Sequence, residues 1–265
     1  MPIIPGSIHL IKEGEFWMKI YIAIDDTDNL EIGATGQTAN DLIKMIENNQ
    51  WGNCQAVTRH QLLLHPDIPY TSHNSSMCFI AEIKPEYLND LIAEAGNLLQ
   101  RESAPGSDPG LCIVIEEQVL VRGQMHILVE FGYKVKEKVI TKQEAYDLAR
   151  QIDVHLSEHG GNGLGVIGAL AAVGLRMTNN DGRFQGRLKL EAPEGLISVA
   201  GIKSNSQVER VQSLDGYLLQ DDEQVRLGEK LKTVLLEGKR TLLVYSEGND
   251  KSEWKTCTNT QLKDY

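Results

Sequence analysis

The clearest pattern in the chain is the apolar run at residues 19–24, KIYIAI, which has no polar face and predicts a strand buried on both sides. Ala39, Leu42, Ile43 and Ile46 follow at i, i+3, i+4 and i+7, the spacing of a helix with one core-facing stripe. Residues 55–64 and 77–83 predict two more strands. Residues 85–100 predict a second helix, with Pro85 in its first turn and Leu88, Leu91, Ile92, Ala95, Leu98 and Leu99 on one face. A short apolar strand is predicted at 111–115, after a Pro-Gly loop at 102–110 that reads as a plain turn.

Residues 119–138 are ambiguous, because Met125, Leu128 and Val129 have helical spacing whereas Gly123 and Gly132 weaken a helix. Thr141-Lys142-Gln143-Glu144 is a capping box, and Ala145, Leu148, Ala149 and Ile152 carry the helix it opens towards Gly160-Gly161. Residues 179–182 read as a turn. Beyond residue 186 short strands are predicted at 196–202, 217–219, 224–227, 231–237 and 241–245, with 237–240 as a hairpin connection. The order of elements predicts an α+β protein of two or three domains with a β-rich C-terminal part. Residues 1–17 have no periodic pattern. Lys12-Glu13-Gly14 is encodable by the purine-rich sequence that precedes start codons, so the natural start is expected at Met18.

Composition narrows the function classes. No apolar run reaches the length of a membrane span and no signal-peptide pattern opens the chain, so a cytoplasmic location is expected. Cys54, Cys78, Cys112 and Cys257 form no C-x-x-C pair, which excludes a zinc ribbon, and Cys78 and Cys112 read as buried thiols. A net charge of −11 argues against a broad nucleic-acid surface and means that an anionic ligand needs a cation or backbone amides to hold it.

Candidate chemistry concentrates where the first strand meets the first helix. Asp25, Asp26 and Asp28 repel one another unless a cation or donors offset them, which points to a hard metal ion with Thr27 and Thr35 as further oxygen ligands. The competing reading is an Asx-rich turn that caps the helix. Gly163, Gly165 and Gly168 match G-x-G-x-x-G, but a dinucleotide fingerprint requires a preceding strand and a helix is predicted there, so a Rossmann site is excluded. Two readings remain for this segment: free amides that bind an anion, or glycines that allow close packing. His60, His65 and His73 read as solvated or hydrogen-bonded histidines rather than a base or metal cluster.

Residues 24–28 (IDDTD), 66–70 (PDIPY), the Pro-Gly loop at 105–110 and residues 163–172 (GLGVIGALAA) together resemble the archaeal agmatidine synthetase family, ATP-dependent enzymes that modify an isoleucine-tRNA wobble cytidine with agmatine. The resemblance covers residues 19 to about 180. It implies an ATP-binding kinase-like α/β layer domain at 18–117, sharing elements with a ferredoxin-like α+β domain at 118–190, whereas the small β-rich C-terminal domain at 191–265 is expected from the strand pattern alone. It further implies magnesium held by Asp25, Asp26 and Asp28, with Asp25, Asp26 and Thr35 in the chemistry. The ATP pocket would be shaped by Asp28, Thr27, Gly33, Gly36, Gly163 and Gly165.

The chain departs from the family where Gly33-Ala34-Thr35-Gly36-Gln37 replaces Gly-Met-Cys-Thr-Thr, leaving Thr35 as the substitute for a phosphorylated threonine. It also lacks an arginine after residue 70, where His73 stands nearby, and it lacks the zinc ribbon and a clear match to the tRNA-gripping barrel. The expected function is therefore an ATP- and magnesium-dependent phosphoryl-transfer or ligase-type enzyme acting on a small-molecule or nucleotide substrate other than full-length tRNA. The alternatives are tRNA wobble-cytidine modification as in the family, and a non-catalytic nucleotide or metal sensor.

Overall fold

In a computed structural model, which describes residues 16–29, 34–68, 74–246 and 253–265, the first half of the chain builds a sheet with helices on both faces. Its elements are β1 (Met18–Asp25), α1 (Thr35–Asn48), β2 (Gly52–Cys54), β3 (Thr58–Gln61), β4 (Ser75–Ile83), α2 (Leu88–Glu102) and β5 (Gly110–Ile115). Next come α3 (Glu116–Val121), α4 (Met125–Glu137), α5 (Lys142–Ile152), β6 (His155–Glu158), α6 (Gly165–Met177) and β7 (Arg183–Phe184). The C-terminal part contributes β8 (Leu196–Ser198), α7 (Val199–Lys203), β9 (Arg210–Ser213), β10 (Gln224–Arg226), β11 (Thr233–Leu236), β12 (Lys239–Ser246) and β13 (Trp254–Thr256). The fold is mixed α+β. Of the expected leader, only Phe16 and Trp17 lie among the described residues.

β1 is central, antiparallel to β4 from Met18↔Ile83 to Ile24↔Met77 and to β5 from Ile20↔Ile115 to Asp25↔Gly110. Ile20, Ile22 and Ile24 pack with Phe79, Ile113, Leu42, Ile46, Leu91 and Leu99 beneath α1 and α2. Tyr21, Ala23, Cys78, Cys112 and Val114 face the other way, against α4, α5 and α6. With partners at both edges and helices on both faces the strand has no wet side, which explains its unbroken apolar sequence. The path of paired strands runs β6-β5-β1-β4-β3-β7-β11-β12-β13-β10-β8, so β7 joins the two halves of one sheet. A second core under the C-terminal strands gathers Val199, Ile202, Val211, Val225, Leu242, Val244 and Trp254.

Several elements differ from the sequence expectation. Residues 55–64 form only β3, preceded by the separate short β2. The ambiguous stretch is two helices, α3 and α4, and Gly132 is the reason the pattern looked weak: a Cβ there would lie 2.9 Å from the Ala171 carbonyl oxygen of α6. The capping box at Thr141 is present with both reciprocal hydrogen bonds, but α5 ends at Ile152, where Asp153 takes a left-handed conformation. A strand, β6, therefore does precede the glycine segment. It is antiparallel to β5 rather than half of a parallel strand-helix-strand unit, so the Rossmann reading still fails, for a different reason.

In the C-terminal part residues 196–202 split into β8 and α7, residues 217–219 make only an isolated bridge, and β9 and β13 were not predicted. The hairpin at 237–240 is as expected: Glu237 (φ 49°) and Gly238 (φ 72°) form the two-residue turn between Leu236 and Lys239.

The close approach of α4 and α6 generates a prediction. A Cβ on Gly174 would lie 1.9 Å from the Leu128 carbonyl oxygen. Gly174→Ala is expected to destabilise the fold by about 1–3 kcal/mol through overpacking, read as a lower urea midpoint, and an unchanged midpoint would contradict this packing.

Candidate functional site

β1 delivers Asp25 to the end of the sheet, where the chain turns sharply: Asp26 adopts a left-handed conformation (φ 53°), which aspartate tolerates better than most side chains. Thr27 and Thr35 are buried behind this turn. The Thr27 amide donates to Thr35 Oγ1 (3.4 Å), the Thr35 hydroxyl donates to Asp28 Oδ1 (3.1 Å), and Thr27 and Thr38 share a hydroxyl contact of 3.2 Å. The carbonyl of Thr27 accepts from the Ala104 amide, which pins the turn to the Pro-Gly loop. Ala34 is the N-cap of α1 and provides no side-chain cap, so none of the three aspartates caps that helix. The Asx-cap reading is thereby set aside.

Opposite the turn lies the start of α6. A Cβ on Gly168 would sit 1.7 Å from Asp25 Oδ2, and one on Gly165 would sit 2.3 Å from the Asp108 carbonyl oxygen and 3.0 Å from the Asp25 carbonyl oxygen. The amides at this helix start are already engaged: Gly163 donates to the Gly160 carbonyl, Gly165 to Asp108, Val166 to Gly163 and Ile167 to Leu164. Of the two readings for the glycine segment, the geometry displays close packing.

Asp25, Asp26 and Asp28 line the cleft, and Asp108 lies near enough for its charge to act on Asp26. Burial pushes the Asp25 carboxyl well above the usual range, and Asp26 and Asp28 add to the shift. Burial, together with the charges of Asp108 and Asp28, raises Asp26 to about 6, although a backbone hydrogen bond at Asp108 opposes the rise. Asp108, which the sequence reading passed over, acts on Asp26 through its charge from outside the cleft lining, and its carboxylate accepts from the Asn162 amide. Its signal was present, an acid inside the Pro-Gly loop just before β5, but a Pro-Gly turn explained the loop without it.

Asp25, Asp26, Asp28, Thr35, Gly165 and Gly168 line a cleft of about 130 Å³. Its lining also includes the apolar side chains of Leu62, Val135, Val139, Ile140 and Ile167 and one cation among the described lining residues, Lys138. Lys138 had no sequence signal, lying at the end of the ambiguous stretch. Thr27, Gly36 and Gly163 are not among the lining residues: Thr27 braces the turn, Gly36 abuts the Gln185 side chain and Gly163 abuts Glu158. Gly33 and His73 lie outside the described residues. His60 is fully buried between Asp181 Oδ1 and Thr58 Oγ1, each at 2.8 Å, and His65 sits 3.7 Å from Asp67, so these two do not form a cluster.

Among the described residues no three His, Cys, Asp or Glu side chains converge as a protein-only metal cage. The donors present are hard oxygens in a site of uncompensated negative charge. Magnesium is ordinarily held by one or two carboxylates together with phosphate oxygens and water. This donor set therefore fits a cation that arrives with a phosphate. Among the described residues no helix is long and apolar enough to cross a membrane.

No family model matches the chain, and no curated protein matches it in sequence. Solved structures do. A tRNA fluorescent-labelling enzyme is 26% identical with a TM-score of 0.50, covering 59% of this chain and 36% of the other. A complex of TiaS, a tRNA agmatidine synthetase, with an isoleucine tRNA and ATP gives the same identity, coverage and TM-score. A second TiaS complex, with tRNA, an ATP analogue and agmatine, covers 77% of this chain and 50% of the other at 20% identity and a TM-score of 0.50, which supports the fold alone. The chain thus resembles agmatidine synthetase, and spans about a third of the length of the first two structures.

The raised carboxyls set a pH dependence. A carboxyl whose pKa is higher folded than unfolded contributes stability that is complete below the unfolded value, 3.8, and is lost as pH rises through the folded value, about 6 for Asp26. Asp26→Asn is therefore expected to match the wild-type Tm near pH 4, to exceed it increasingly as pH rises towards about 6, and to keep a constant advantage above that in ligand-free protein. Thermal melts across that range check this, and a variant less stable than wild type at pH 8 would refute it.

Proposed function

We propose that the chain binds Mg-ATP in this cleft and is an ATP-dependent ligase-type or phosphoryl-transfer enzyme related to agmatidine synthetase, with residues 18–117 as its kinase-like part and 118–190 as its ferredoxin-like part. The observation that carries the reading is the set of desolvated, mutually repelling carboxylates at the end of β1, in a cleft whose lining is otherwise largely apolar. Such a cluster is poorly stabilised by the protein alone and well suited to a divalent cation. The solved TiaS complex that contains ATP supports the same assignment.

In this reading magnesium would be held by one or two carboxylates of the Asp25, Asp26 and Asp28 set together with phosphate oxygens, whose charge it would offset. Leu62, Val135, Val139, Ile140 and Ile167 would exclude water from the flat part of the nucleotide, and Lys138, the lining cation, would offset phosphate charge. Gly165 and Gly168 serve by having no side chain, letting α6 come up against Asp25. Asp28 accepts the Thr35 hydroxyl hydrogen bond and would take that proton if Thr35 Oγ1 attacked the γ-phosphorus of ATP, breaking its bond to the β-phosphate oxygen and releasing ADP. A second reading, tRNA modification, is favoured by the 26%-identical complex that holds both tRNA and ATP.

Asp26→Asn is expected to abolish ATP binding in magnesium while leaving the fold intact; calorimetry with unchanged affinity would refute the assignment. ATP turnover against free amines and tRNA fractions separates the readings. Turnover with an amine alone supports the first and a strict tRNA requirement supports the second. ATP that binds but is never turned over would sink both enzyme readings in favour of a nucleotide sensor.

A further inference from the structure

The joint between the two halves of the sheet carries charges that its structural role does not call for. Arg183 on β7 stands directly opposite Arg59 on β3. Arg187 follows on the same segment, and Lys232, just before β11, donates its ammonium to the Gly186 carbonyl. Arg59, Arg183 and Lys232 are half-buried and Arg187 is exposed. Lys232 is near enough to all three arginines for their charge, after burial, to lower its proton affinity, and burial followed by Arg183 lowers Arg59 to about 10.

Among the described residues no carboxylate offsets these charges. Among the described residues none of the four enters an ion pair, and the Arg59 guanidinium donates only to neutral oxygens, Ser75 Oγ at 2.8 Å and Gln61 Oε1 at 3.4 Å. Like charges directly opposed across a strand pair are destabilising, and half-buried cations also lose hydration. In a chain of net charge −11 with 37 acidic side chains to choose from, four adjacent unpaired cations are not an average of the surface.

We infer that Arg59, Arg183, Arg187 and Lys232 form a phosphate-binding site at the sheet joint, for the phosphodiesters of an RNA strand or for a free polyphosphate. The site adjoins the carboxylate cleft without being part of it. Ser75, which holds Arg59, lines the cleft, and Gln185, between Arg183 and Arg187, lies against Gly36 in the first turn of α1. A phosphate held at the joint thus keeps its molecule beside the cleft mouth. Arginine at three of four positions suits phosphate oxygens, which match its forked donors.

The test uses the full chain with two probes, a fluorescent single-stranded RNA of about 20 nucleotides and inorganic tripolyphosphate, between about 50 and 200 mM salt. Wild type is expected to bind at least one probe. If RNA is bound, log affinity against log salt should fall with a slope of about −3, the value for four cations on a single strand. An Arg183→Gln/Lys232→Gln variant should lose tenfold or more in affinity and keep wild-type ATP affinity in the cleft, which separates this result from any failure of the ATP reading.

Arg183→Gln alone should raise Tm by about 1–3 °C in phosphate-free buffer, because it removes a repulsion; a purely structural arginine would lower Tm instead. RNA binding assigns the nucleic-acid source, and tripolyphosphate binding alone assigns a free phosphate. Binding of neither probe, undiminished binding by the double variant, or a fall in Tm for Arg183→Gln would overturn the inference.

Discussion

The arrangement depends on how closely α6 lies against the end of β1. The helix can come up against Asp25 only because residues 165 and 168 have no side chains, and that contact leaves the carboxylate buried at the end of the central strand. Everything at the site follows from this approach. The chain after Asp25 must turn at once, Asp26 accepts a left-handed conformation, and the Asp108 loop closes over the turn through its carbonyl on the Gly165 amide. Charge that water would ordinarily solvate is confined against a low-dielectric wall, so the carboxyls resist ionisation until something positive is supplied.

The opposite arrangement is found elsewhere in the fold. His60, Asp181 and Lys136 are also buried near one another, but they satisfy each other: Asp181 accepts from His60 at 2.8 Å and from Lys136 at 2.5 Å, which outweighs burial and holds its carboxyl below the usual range. Lys136 also reaches the Asp264 carbonyl at 2.9 Å, tying α4 to the end of the chain. Asp25, Asp26 and Asp28 have no cationic partner among the described side chains, and the cations at the β7 joint have no carboxylate partner among them. That contrast between a closed network and two uncompensated clusters of opposite sign is what distinguishes sites from scaffold here.

Much of the first half was legible in the sequence for a physical reason. β1 and α1 are buried on faces wide enough to impose a period, so a continuous apolar run and an i, i+3, i+4, i+7 stripe survive in the residues. β6 was not legible, because its four residues, HLSE, are only partly buried at a sheet edge and carry little hydrophobic signal. α4 was obscured by Gly132, which serves the packing with α6 at the expense of helix propensity. β9 and β13 are too short to show a period. At the site, the aspartates stood out because three fall within four residues, whereas Asp108 and Lys138 arrive from distant segments and only the fold brings them near. The basic joint is illegible for the same reason, since Arg59, Arg183 and Lys232 are neighbours in the sheet and far apart in the chain.

The central claim is that the carboxylate cluster is completed by a cation and a nucleotide together. The most direct measurement is the thermal midpoint of the full chain near pH 7.5 with magnesium alone, ATP alone and both. The account predicts small shifts from either alone and a much larger stabilisation from the pair, because each supplies charge that the other needs in order to bind. No shift with both present, or an equal shift from ATP in the absence of divalent metal, would contradict it.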